Sequence, residues 1–117
     1  LSDEFLIKDN HIACDEIKNL IVNAKKSNKK KIITVEVDSL KQLDKIIGMK
    51  FNRVLLDNMK PKTLKKALKK INKKYETEAS GNIDLENVNS VASTRVDRIS
   101  IGSLTHSVKA VDFKLEF

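Results

Sequence analysis

The feature that most restricts the fold of this chain is a regular alternation of two hydrophobic periods. Short apolar or β-branched runs are followed, time after time, by stretches with apolar residues at i, i+3, i+4 and i+7. Phe5-Leu6-Ile7 is a short apolar run, and Ile17, Leu20, Ile21 and Ala24 then form one helical stripe. Ile32 to Val37 is β-branched and strand-like. Ser39 and Gln42 form a capping box, Leu40, Leu43, Ile46 and Ile47 make the next stripe, and Gly48 is a helix stop. Val54-Leu55-Leu56 is a third strand. Pro61 stands where a first helical turn accepts it, ahead of Leu64, Ala67, Leu68 and Ile71. Tyr75 to Ser80 is a fourth strand, and Asp84 caps a helix carrying Leu85, Val88, Val91 and Ala92. Arg98 to Ile101 is a fifth strand, and Val111 to Phe117 reads as a last extended segment.

Strands that alternate with helices pair in parallel and are joined by right-handed crossovers. The strand ends Glu36, Asp57 and Glu78 recur at intervals of 21 residues, one βα unit per step. The expected fold is α/β, of the (β/α) barrel type: part of a TIM-like barrel, with five to six parallel strands. A doubly wound open sheet is the runner-up, weakened because the dinucleotide-binding fingerprint of glycines after a first strand is absent.

Side chains alternate faces along a strand. Ile33, Val35 and Val37 share one face, which should pack on helices, so Thr34 and Glu36 should point into the lumen. The same count puts Asp57 at the end of the third strand, Glu78 and Ser80 on one face of the fourth, and Lys8 and Asn10 on one face at the end of the first. Barrel active sites lie at the C-terminal mouth, and lone buried charges are costly, so this set should be paired or should bind a ligand. Lys8 neutralising Glu36 is the bland reading of that pair. Ser80-Gly81-Asn82 and Gly102-Ser103-Leu104-Thr105-His106-Ser107 follow adjacent strands. Small residues there let backbone N–H groups approach a phosphate.

Composition removes other classes. The chain has 117 residues, enough for one domain spanning 1–117, and no apolar run approaches a membrane span. It opens on Leu1, which suggests part of a longer protein. The single cysteine, Cys14, makes no internal disulfide, and a cytoplasmic location is expected. Cys14, His11 and His106 lack zinc-site spacing, and no base is placed to make Cys14 a nucleophile. The net charge is +7, yet aromatics are 4% and lysines such as Lys62, Lys65, Lys66, Lys69 and Lys70 punctuate one helix. This is a solvated helix face rather than a nucleic-acid site.

The strand-end segments carry a resemblance. Phe-Leu-Ile-Lys-Asp-Asn-His-Ile (5–12), Val-Glu-Val-Asp (35–38), Leu-Leu-Asp-Asn-Met (55–59), Glu-Ala-Ser-Gly-Asn-Ile (78–83) and Ile-Ser-Ile-Gly-Ser-Leu-Thr-His-Ser (99–107) resemble, in order, the signatures of quinolinate phosphoribosyltransferases. The resemblance implies transfer of phosphoribose from phosphoribosyl pyrophosphate to quinolinate with decarboxylation. The products are nicotinate mononucleotide, pyrophosphate and carbon dioxide, a step of NAD biosynthesis that uses Mg²⁺. It implies that Lys8 faces quinolinate and the donor. Glu36 and Asp57 would hold ribose hydroxyls and the magnesium shell, and Ser80, Gly81, Gly102 and His106 would cradle the 5′-phosphate. Asn82 and Ser103 stand where many members have Gly and Ala. The arginines and histidine that grip the quinolinate carboxylates belong, by the resemblance, to an N-terminal domain and partly to a dimer mate. Arg53, Arg95 and Arg98 are expected on the opposite rim, Arg95 at a helix end. The expectation is therefore a donor-binding portion that works as a homodimer or with its N-terminal portion. A related molybdenum-associated family and a non-catalytic phosphate-binding module are the alternatives.

Overall fold

The computed structural model describes residues 4–9, 12–27 and 31–101. Within them five strands alternate with four helices: β1 (Glu4–Lys8), α1 (Cys14–Ser27), β2 (Ile32–Val37), α2 (Leu40–Ile46), β3 (Arg53–Asp57), α3 (Pro61–Ile71), β4 (Glu76–Ser80), α4 (Val88–Ala92) and β5 (Arg98–Ile99). All neighbouring strands pair in parallel, in the order β1-β2-β3-β4-β5.

That order decides between the two expected topologies. A doubly wound sheet reverses its strand order at a switch point. Here every crossover steps to the next strand in the same direction, and right-handed crossovers then place the helices on one face. Helices α2 and α3 pack together, as do α3 and α4, forming that single layer. The sheet is an open α/β arc of the barrel type.

Local chemistry sets each helix. Asp15 and Glu16 open α1 while Lys25 and Lys26 close it, charges that complement the helix dipole. Ser39 Oγ accepts the Gln42 N–H at 3.1 Å, and Gln42 Oε1 accepts the N–H of Asp38, one residue earlier than in a standard capping box. Gly48, at φ +100°, ends the turn after α2, and its N–H donates to the Tyr75 hydroxyl. Pro61 is the first residue of α3, and Asn72 caps its far end in the left-handed conformation.

The core lies between helices and sheet. Ile33, Val35, Val37, Val54 and Leu56 are buried against Ile17, Leu43, Ile46, Leu64 and Ile71. Each such aliphatic side chain contributes about 1.5–3 kcal/mol by leaving water. The lysines of α3 are all exposed, as a solvated face requires. Three expectations are corrected. Leu20 is 37% exposed and stands off the α1 stripe. Leu85 is 68% exposed, because Asp84 caps a turn, accepting the N–H groups of Glu86 and Asn87, and α4 begins only at Val88. Arg95 follows α4 at φ +71° rather than ending it. The segment Val111–Phe117 lies outside the described residues.

Candidate functional site

Strand register assembles a polar row on the face of the sheet away from the helices. Lys8 of β1 lies opposite Glu36 of β2, and Asp57 of β3 lies opposite Ser80 of β4. These are the C-terminal ends of four consecutive strands, so one edge of the sheet collects an ammonium, two carboxylates and a hydroxyl. The neighbouring positions Val35, Val37, Leu56 and Ala79 turn to the helices and are buried. The alternation of apolar and polar residues read from the sequence is therefore what aims the row.

The charges in this row are not mutually neutralised. The pKa of Glu36 is raised above the ordinary carboxylate value by burial, then by the negative charge of Asp57; Lys8 opposes these with a smaller lowering, and Asp38 adds a little more. Among the described residues Lys8 makes no ion pair within 4 Å. Its side chain is exposed at the edge. The row therefore holds a pair of carboxylates that repel each other beside a cation open to an anion.

Asp57 is braced from β4. Ser80 Oγ donates to Asp57 Oδ1 at 3.1 Å, and the Asn58 N–H donates to the Ser80 carbonyl at 2.8 Å. Gly81, at φ +81°, sits so close that a Cβ there would meet Asp57 Oδ1 at 2.7 Å and Asn58 N at 2.8 Å. Only glycine fits that approach and that backbone angle without strain. Asn82 is at φ +54°, a region that favours glycine and that asparagine tolerates; its Nδ2 donates to Asn58 Oδ1 at 2.6 Å. The two strand-end turns are thus stitched into one unit.

Several members of the region escape sequence reasoning. Asp9 is buried behind Lys8 and pairs with Lys45 of α2 at 3.1 Å. Asn58 links the turns as just described. Ser100, just after β5, donates its Oγ–H at 2.8 Å to Glu78, which the strand count had already placed on this face. The only available signal was position, since Asp9 and Asn58 fall inside the quoted strand-end segments. Beneath the row, a cavity of about 250 Å³ opens between Glu4, Leu6, Thr34, Arg53, Leu55 and Glu78. Another, of about 820 Å³, lies at the opposite edge beside Asn52, Tyr75, Asp97 and Arg98, away from the row. Arg53 and Arg98 stand on that opposite edge, as expected, paired with Glu4 and Glu76. Gly102, Ser103 and His106, the second half of the expected phosphate cradle, lie outside the described residues, as do Asn10 and His11.

An edge of this kind suits a ligand with both anionic and hydroxyl groups. The cation attracts phosphate, and the carboxylates accept hydroxyl protons or face developing positive charge. Comparison with known proteins gives the same direction. Residues 1–116 match the family model described as quinolinate phosphoribosyl transferase, C-terminal domain. The chain is 43% identical over 124 residues to the "Probable nicotinate-nucleotide pyrophosphorylase [carboxylating]" of Methanocaldococcus jannaschii, covering 99% of this chain and 44% of that protein. It is 35% identical over 136 residues to the chloroplastic nicotinate-nucleotide pyrophosphorylase (carboxylating) of Arabidopsis thaliana, covering 99% of this chain and 39% of that one. Among solved structures, the nicotinate-nucleotide pyrophosphorylase of Francisella tularensis superposes with a TM-score of 0.77 at 36% identity, over 93% of this chain and 39% of that one. The enzyme of the same name from Ehrlichia chaffeensis gives 0.76 at 39% identity, over 93% and 41%. The chain spans less than half the length of the curated relatives it matches.

Proposed function

The chain belongs to the quinolinate phosphoribosyltransferase family, as its C-terminal domain, and we propose that it binds the phosphoribosyl donor for that reaction. In the proposed reaction the ring nitrogen of quinolinate attacks C1 of phosphoribosyl pyrophosphate and pyrophosphate leaves. Loss of carbon dioxide leaves the bonding pair on the ring carbon, which takes up a proton from solvent to give nicotinate mononucleotide for NAD biosynthesis. The observation that carries this reading is the row itself: Lys8 exposed beside Glu36 and Asp57, with Glu36 held above the ordinary carboxylate range by burial and by the charge of Asp57.

Each residue then has a role. Lys8 draws the anionic groups of donor and acceptor together. Glu36 and Asp57 accept hydrogen bonds from the ribose hydroxyls and stabilise the positive charge that grows on the sugar as the bond to pyrophosphate breaks. Ser80 holds Asp57 to that task, and Ser80 and Gly81, with Gly102 and His106, form the 5′-phosphate cradle. The donor set also fits Mg²⁺, because two repelling carboxylates are stabilised by a hard cation, which takes oxygen ligands and keeps several waters. No cluster of three or more metal-ligating side chains exists among the described residues, so Glu36 and Asp57 would hold the ion through water together with the substrate's phosphates. Bound there, Mg²⁺ supplies charge neutralisation of the leaving pyrophosphate.

The acceptor site is proposed to lie in the remaining length of the family's enzymes. The open face supports an assembly, either with that portion or as a homodimer, since Leu6 and Ile32 are 47% and 37% exposed on it. No helix among the described residues is long and apolar enough to cross a membrane. A cytoplasmic location is proposed on the single cysteine and the polar substrates.

The test is release of carbon dioxide from carboxyl-labelled quinolinate. The assembled enzyme is expected to release it only with donor present, and the 117-residue chain alone is expected to bind donor without turnover. Donor binding without turnover by the assembled protein would favour a non-catalytic phosphate-binding module. Steady turnover by the chain alone would overturn the division of labour.

A further inference from the structure

The end of β1 is fastened more firmly than a surface strand end needs. Asp9 follows Lys8 and, by alternation, turns to the helix side, where its side chain has no exposure. A carboxylate so placed is costly unless matched. Lys45 of α2 matches it: its Nζ donates to Asp9 Oδ1 and to the Ile12 carbonyl, each at 3.1 Å. The other carboxylate oxygen, Oδ2, is buried with no hydrogen-bond partner among the described residues, so the charge leans on Lys45. The Asp9 N–H donates to the Glu36 carbonyl at 3.0 Å, extending the β1–β2 ladder one step beyond Lys8. One ammonium thus holds both Asp9 and Ile12, and it comes from the helix that follows the strand carrying Glu36.

We propose that Asp9 and Lys45 are positioning residues that fix the β1 end so that Lys8 stands level with Glu36 and meets the donor's anionic groups from a preset place. The inference rests on the donor-binding reading above. Among the described residues Lys8 has no ion-pair partner within 4 Å. The backbone on its C-terminal side is held by the Asp9 N–H to the Glu36 carbonyl and by the Asp9–Lys45 pair. The pair spans two βα units, and therefore ties the strand end that carries Lys8 to the unit that carries Glu36.

A double-mutant cycle in the assembled enzyme separates this from simple stabilisation. The variants are Lys45→Met, Lys8→Ala and their combination, with kcat and KM for phosphoribosyl pyrophosphate measured per folded molecule at saturating quinolinate. Lys45→Met is expected to lower kcat/KM for the donor roughly 10- to 100-fold, the size of a displacement near 1 Å in a reacting group. Lys45→Arg, which keeps the charge and the reach, should restore most of it. In the Lys8→Ala background, Lys45→Met should cost about twofold or less, because the group it positions is already gone. If Lys45→Met lowers the folded fraction, Asp9→Asn combined with Lys45→Gln carries the same cycle without leaving a buried charge alone. Additive losses in the combined variant, or normal kinetics of folded Lys45→Met, would overturn the proposal. An unaffected Lys8→Ala enzyme would instead remove the donor-binding reading, and the positioning role with it.

Discussion

The two edges of the sheet are both charged, and they use charge in opposite ways. At the N-terminal edge every named charge is answered within the chain. Arg53 lies between Glu4, at 2.6 Å, and Glu76, and Arg98 reaches the same Glu76 oxygen at 3.2 Å. Asp97 Oδ2 accepts both the N–H and the hydroxyl of Thr77. At the C-terminal edge burial, and then the negative charge of Asp57, raise the pKa of Glu36, and among the described residues Lys8 forms no ion pair. Charges that answer one another hold strands in register. Charges left facing one another cost stability, a cost that the proposed donor would offset on binding.

Swaps at the two edges should therefore separate turnover from stability. The largest effect is expected for Asp57→Asn in the assembled enzyme: a 10²- to 10³-fold loss of kcat, about 2.7–4 kcal/mol of barrier, as for one preorganised electrostatic group. Its melting temperature should barely move. Early melting with normal turnover per folded molecule would reassign Asp57 to the structural class. Next comes Gly81→Ala. Its Cβ would fall 2.7 Å from Asp57 Oδ1, at a left-handed backbone angle. We expect about 1–3 kcal/mol of lost stability together with reduced turnover. A variant that folds and turns over like the parent would show that the two turns need not touch.

Arg53→Met should do the reverse of Asp57→Asn. Removing the arginine leaves Glu4 without its partner and Glu76 with Arg98 alone, and both carboxylates are more than two-fifths exposed, so the loss is about 1–2 kcal/mol. Chemical denaturation reads that loss, and kcat per folded molecule should stay unchanged. A smaller effect, about 1 kcal/mol, is expected for Ser39→Ala, which removes the α2 cap at 3.1 Å.

The smallest effect concerns pH. The folded pKa of Glu36 is raised, so the folded state binds its proton more readily than the unfolded chain and carries a penalty when the group is ionised. Glu36→Gln lifts that penalty. The variant should be slightly more stable than the parent near neutral pH, with the advantage fading as pH falls through the raised pKa toward the ordinary carboxylate range. Its turnover should nonetheless collapse. Thermal melts across that range would show it, and an advantage that grew on acidification would mean the sign is wrong.

Much of this contrast was legible in the sequence. Ile33, Val35 and Val37 declared the helix-covered face, and that alone aimed Glu36 at the other side. The strand ends Lys8, Asp57 and Ser80 followed from the same count. Sequence order and the missing glycine fingerprint favoured a barrel arc over a doubly wound sheet, and the order β1-β2-β3-β4-β5 settles it. What stayed hidden depends on contacts between distant residues. No local rule joins Asp9 to Lys45, 36 positions apart, since a lysine in a helix's last turn is ordinarily solvated. Gly81 read as a phosphate-approach glycine, but its tight packing on Asp57 needs the register of β3 and β4. Leu85 misled because the Asp84 turn delays α4, which leaves that side chain in water.

The central claim is that the C-terminal edge binds donor and the N-terminal edge does not. Backbone amide NMR of the assembled, isotope-labelled enzyme, titrated with phosphoribosyl pyrophosphate and Mg²⁺, tests it residue by residue. Saturating shifts are expected at the amides of Lys8, Glu36, Asp57, Ser80 and Gly81, with Glu4, Arg53, Glu76 and Arg98 unmoved. Shifts concentrated on Arg53, Glu76 and Arg98, with the row from Lys8 to Gly81 silent, would contradict the account.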